Sequence, residues 1–170
     1  MASRIASLIG LVVVLSIALV VPSAVADGSK VQATVSFGQW QTDPPFDRFT
    51  VPNDRTRNQH ALIPHEVKIK AGGAVNFIIS GFHEPTIYDA GTQPGDIHSQ
   101  LVVPGSSPPG LIDDPTNRIF RGVDPRTVSQ DRVESVTFHK PGTYLVICSV
   151  QPHFVNDAMF GFVKVTAQDD

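Results

Sequence analysis

Positions 31, 33, 35 and 37 are Val, Ala, Val and Phe, while 32, 34 and 36 are Gln, Thr and Ser. Strict alternation places every second side chain on one face of an extended chain, so 31–37 predicts a half-buried β-strand. Segments 65–70 and 74–80 predict two more strands, and Ala71-Gly72-Gly73 between them has the composition of a tight hairpin turn. Segments 133–139 and 143–150 flank Lys140-Pro141-Gly142, a second turn signal, and 159–165 predicts a closing strand. Beyond the first 26 residues no long stretch carries apolar residues at helical spacing, so the body reads as all-β. Short sequential strands with such turns suggest a sandwich.

Residues 84–130 break this rhythm. They hold seven Pro and five Gly in 47 positions, with short apolar patches at Leu101-Val102-Val103 and Ile119-Phe120. The pattern predicts a long, mostly irregular excursion. Asp114-Pro115 and Asp124-Pro125 each place an N-cap residue before a proline, the order that opens a helical turn.

The N-terminus follows another pattern. Arg4 precedes an apolar run over 5–21, and Pro22-Ser23-Ala24-Val25-Ala26 supplies an Ala-x-Ala cleavage site, so 1–26 reads as a secretory signal peptide and 27–170 as one folded domain. The alternative is an uncleaved anchor, since 17 residues is at the short end of a bilayer span. Cleavage leaves no membrane span and a periplasmic or secreted destination. The chain carries 13 Lys and Arg against 16 Asp and Glu, and without Arg4 the charge moves from −3 to −4. Mild acidity argues against a nucleic-acid partner, which calls for a basic face.

Export makes the cysteine count informative. Cys148 is the chain's one cysteine, so a disulfide framework is impossible, and its thiol is either an inert core group or a metal ligand. After removal of Met1, Met159 is the one methionine of the mature chain, and His153 lies between the two. A thiolate, an imidazole and a thioether on one loop between strands form most of a blue-copper ligand set, which needs a second histidine. His83, following the 74–80 strand, is the candidate. Cu(I) favours soft sulfur and Cu(II) favours imidazole nitrogen, so such a set serves both oxidation states.

The run Phe138-His139-Lys140-Pro141-Gly142-Thr143-Tyr144-Leu145-Val146-Ile147-Cys148 resembles the strand pair of the cupredoxins, the small blue-copper proteins that include plastocyanin, pseudoazurin and azurin. The Cys148, His153, Met159 loop and the strand leading to His83 are similar to that family's as well. The resemblance covers roughly 65–165. It implies a Greek-key β-sandwich with a long inserted loop, one type 1 copper ion held by His83, Cys148, His153 and Met159, and single-electron transfer with protein redox partners such as a cytochrome, an oxidase or a reductase. Five residues separate His153 from Met159, more than the three or four associated with the family. The axial position is therefore open between Met159, Gln151 and a backbone carbonyl.

Other readings explain less. His60, His65, His98 and His139 read as structural or solvent-exposed. A Cys148–His153 nucleophile pair has no protease signature around it, and a multicopper oxidase needs paired His-x-His motifs that the chain lacks. The expectation is an electron carrier and no enzyme, with two alternatives: a copper-delivery protein without redox duty, and a metal-free domain that binds a partner. Pro152, Phe154 and Val155 would form an apolar collar around His153, or fold inward as core.

Overall fold

The computed structural model describes residues 30–38, 60–106 and 108–168, so the expected leader over 1–26 lies outside the described residues. Among the described residues there are eight strands: β1 (Lys30–Phe37), β2 (Leu62–Ile63), β3 (Glu66–Ser80), β4 (Pro85–Tyr88), β5 (Arg118–Arg121), β6 (Asp131–Phe138), β7 (Gly142–Cys148) and β8 (Phe160–Thr166). One short helix, α1 (Gln151–Val155), joins β7 to β8. Among the described residues no helix is long and apolar enough to cross a membrane.

The two expected strands at 65–70 and 74–80 are one 15-residue strand, and the hairpin expected at 71–73 does not form. β3 instead links the two layers of a β-sandwich. Its first half, Glu66 to Lys70, pairs in parallel with β8, and its second half, Gly73 to Ser80, pairs antiparallel with β6 and in parallel with β1. Gly72 sits at φ +82, and a Cβ on Gly73 would lie 2.5 Å from the Val31 carbonyl oxygen. The glycine pair therefore serves a bend and a close backbone approach inside a strand, a second use of the same composition. The second layer continues β8-β7-β4-β5 by antiparallel pairing.

Burial follows the pattern along each strand. β1 and β3 alternate, sending Val35, Phe37, Val75, Phe77 and Ile79 into the space between layers, where they meet Val146, Cys148, Val163 and Val165. Each such apolar side chain contributes about 1.5–3 kcal/mol when fully buried. β7 differs: Tyr144 to Cys148 is buried throughout. Its other face, Leu145 and Ile147, packs with Tyr88, Ile97 and Ile112 from the 84–130 stretch. A strand covered on both sides can be apolar at every position, which is why this run does not alternate.

Within 84–130 the chain forms β4, β5 and a 3-10 turn at Pro94–Asp96. The helical turns expected after Asp114 and Asp124 are absent. Each aspartate accepts a hydrogen bond from the backbone N–H two residues on, at Thr116 and Arg126, both at 2.9 Å. The side chains cap tight turns whose chain does not go on to a helix.

Candidate metal centre

Three strand-end segments converge at one end of the sandwich. After β3 the chain turns at Gly81, where the His83 N–H donates to the Gly81 carbonyl at 3.0 Å. Pro85 is then in register with Cys148, the last residue of β7, so the two strands bring His83 and Cys148 together. α1 carries His153. Its opening fits the local sequence, with Val150 as an extended N-cap and Pro152 in the first helical turn. The helix falls in a stretch where only a loop was expected.

The His83 Nδ1 lies 3.6 Å from the Cys148 sulfur, the His153 Nδ1 lies 3.7 Å from it, and the two nitrogens are 3.1 Å apart. A divalent first-row ion about 2.0–2.1 Å from nitrogen and about 2.3 Å from sulfur, bound in a trigonal plane, sets nitrogen–sulfur separations of about 3.7 Å. The observed nitrogen–nitrogen distance corresponds to an angle of about 100° at such an ion. One thiol and two imidazoles thus fit a single metal ion by spacing and by donor chemistry.

Electrostatics favour neutral groups here. Burial pushes the Cys148 thiol up to about 12, with the neighbouring backbone donors acting in the opposite direction. Burial also lowers His153 to about 4, aided by the nearby His60 and opposed by Asp157. At neutral pH the imidazole has its lone pair free, while the thiol needs a cation to become a thiolate.

Met159, the fourth sequence candidate, is buried. Its N–H donates to the His153 carbonyl at 2.9 Å, and its carbonyl accepts the Cys148 N–H at 3.0 Å. A helical turn advances about 1.5 Å per residue against about 3.3 Å in a strand, so α1 takes up the length of the loop. The chain reverses at Asn156-Asp157, and Ala158 takes φ +51 just before Met159. The other side-chain candidate for the axial place is engaged elsewhere: the Gln151 amide donates to the Ser99 carbonyl at 2.9 Å. Of the collar, Phe154 packs against the second core cluster and Val155 is 51% exposed, so the two expectations for these residues divide between them.

Sequence reasoning missed the surroundings of the ligands. Glu84, fully buried, accepts a 2.6 Å bond from Arg121 Nε, and Arg121 also reaches Asp113 at 2.8 Å. Burial raises the Glu84 carboxyl above the usual range, with Arg121 opposing. Arg132 donates to the His83 carbonyl at 2.9 Å. His60, expected to be structural or exposed, stacks on the His153 ring at 3.7 Å between centroids. No local pattern marks these residues, because their roles come from topology. His65, His98 and His139 stand away from the cluster: all three are exposed, His65 lies edge-on to Phe160 and Phe162, and His98 faces Asp114.

Among solved structures, the reduced auracyanin of the photosynthetic bacterium Roseiflexus castenholzii is similar over 82% of this chain and 99% of its own, at 18% identity and a TM-score of 0.52. The chain has a cupredoxin-like fold. Auracyanin B aligns with 85% of this cupredoxin-like chain and 95% of its own at 17% identity and a TM-score of 0.48. A mutant plastocyanin of fern aligns with 78% and 99% at 18% identity and a TM-score of 0.42. No protein-family profile matches the sequence, and no curated protein does.

Proposed function

We propose that this chain is an exported type 1 copper protein that carries single electrons between redox protein partners, with His83, Cys148 and His153 as equatorial ligands and Met159 as the weak axial one. The observation that carries the reading is the spacing of the Cys148 sulfur and the two Nδ1 atoms, 3.6, 3.7 and 3.1 Å. Bound copper would supply a one-electron couple between Cu(II) and Cu(I). The chain's own contribution is to fix and dry the site. Cys148 and His83 sit at strand ends in the core and have little freedom to rearrange, while His153 on α1 lies nearer solvent, on the side from which a partner approaches. Met159 is favoured for the axial place because the two backbone bonds tie it to His153 and Cys148, whereas the Gln151 amide is held by Ser99. Export rests on the leader pattern at 1–26.

Copper added to the mature protein tests this. An intense thiolate-to-copper absorption band that bleaches reversibly with reductant is the expected result, and Cys148→Ser should abolish the band entirely. Colourless, tight Cu(I) binding would shift the reading to a delivery protein. Failure to retain copper would leave a metal-free partner-binding domain.

A further inference from the structure

Two layers of the sandwich meet over the candidate centre through a contact that is not among the ligands. β2 pairs with the end of β1, with Phe37 opposite Leu62, and the Gly38 N–H donates to the Ala61 carbonyl at 2.9 Å. This edge delivers His60 to the ligand end of the molecule. Its ring stacks on His153 at 3.7 Å and an interplanar angle of 20°, and meets the His83 ring edge-on at 5.5 Å and 75°. The His60 Nδ1 lies 2.6 Å from the Asp157 Oδ2, in the loop that connects His153 to Met159. The His60 side chain is 23% exposed.

One residue of the first layer therefore touches both candidate imidazoles and is also pinned to the ligand loop of the second layer. We propose that His60 and Asp157 form a strap across the candidate centre, with His60 as a positioning residue that fixes the His153 ring plane and keeps water from the metal. The proposal rests on the copper reading for its consequence, though the strap itself is a property of the chain. His153 sits on a five-residue helix whose partial exposure leaves its imidazole free to turn. Stacking on one face and the anchored loop together remove that freedom. Groups that orient a metal-bound imidazole commonly change metal affinity by about 10–100-fold when lost.

The test uses the full mature chain and three variants, His60→Ala, His60→Phe and Asp157→Asn. In the metal-free protein the His153 ring proton resonances should be shifted by the stacked ring, move in His60→Ala, and stay near their place in His60→Phe, which restores the stack without the carboxylate bond. In the copper-loaded protein His60→Ala should release Cu(I) to a chelator roughly tenfold faster, and its reduction potential should fall, because water admitted to the site favours the more highly charged Cu(II) state. His60→Phe should recover most of both effects, and Asp157→Asn should show a smaller acceleration. His153 ring resonances that do not move in His60→Ala, with release rates within twofold of the parent in both His60→Ala and Asp157→Asn, would overturn the strap. Absence of the thiolate band in the parent protein would overturn the copper reading alone, since the metal-free resonances still decide whether His60 holds His153.

Discussion

The two imidazoles that meet Cys148 are held in opposite ways. His83 is 4% exposed, its carbonyl is bonded by Arg132, its ring lies edge-on to Phe37, and the next residue, Glu84, is tied to Arg121. His153 is partly exposed on a short helix and is held by side-chain contacts, with His60 on one ring face. A ligand at a strand end takes its rigidity from the ladder and core, so it cannot loosen without loosening the fold. A ligand on a helical turn takes its rigidity from contacts that can be removed one at a time. Damage on the His83 side should therefore read as lost stability, and damage on the His153 side as lost metal retention with the fold intact.

The sharpest way to break this contrast is at Arg121. Its removal leaves Glu84 fully buried without its cation, and the second carboxyl oxygen, Oε2, already has no hydrogen-bond partner among the described residues. Breaking a buried pair by deleting one partner costs about 3–5 kcal/mol, so Arg121→Ala should lower the unfolding free energy, measured by chemical denaturation, by an amount of that order. Glu84→Gln should cost less, because it leaves no buried charge behind. A loss under about 1 kcal/mol in Arg121→Ala would show that the His83 side is not held by this network.

Gly38 is the next point of leverage. It takes φ +87, and a Cβ there would lie 2.6 Å from the Ser80 carbonyl oxygen and 2.7 Å from the His83 Nε2. Gly38→Ala forces both a left-handed backbone and a displaced imidazole, at about 1–3 kcal/mol for the backbone alone. Thermal unfolding should report the loss, and the copper spectrum should change with it. A changed spectrum at unchanged stability would mean that His83 moves independently of the fold, against the contrast drawn here.

How much of this was legible beforehand divides along the same line. The positions of β1, β3, β6, β7 and β8, the break between β6 and β7, and the trio His83, Cys148 and His153 are readable, because alternation and donor type are local properties of the sequence, and the structure brings those three together; β2, β4 and β5 carry no such signal. Gly72-Gly73 predicts a hairpin and forms a bend within one strand, because composition marks a backbone departure without saying whether the chain reverses or crosses to another layer. α1 carries no periodic signal, because five residues are too few to show a helical period. Long-range partners such as His60 with His153, or Arg121 with Glu84, had no signature at all, since 93 and 37 positions of sequence separate them and only strand pairing joins them.

The smallest expected effect lies on the support of the ligand helix. Asp114 is buried, and its two oxygens accept the His98 and Thr116 N–H groups at 2.9 Å each. That fixes the loop whose Ser99 carbonyl receives the Gln151 amide at the start of α1. Burial by itself would raise the Asp114 carboxyl, but the backbone donors of His98 and Thr116 outweigh it and hold the group below the ordinary aspartate range. A folded-state value below the unfolded one, about 3.9, means that the folded protein binds the proton less readily. The stabilisation is then complete above the unfolded value and is lost as pH falls through the lower folded value. Asp114→Asn keeps one accepting oxygen and should cost about 1–2 kcal/mol at pH 7, read as a shift in urea midpoint. The gap between parent and variant should begin to narrow below about pH 4, where the unfolded parent takes up the proton, and should close as pH falls through the lower folded value. A gap that stays constant to low pH would mean that the turn is held by shape alone and that the carboxylate contributes nothing to the loop side of the site.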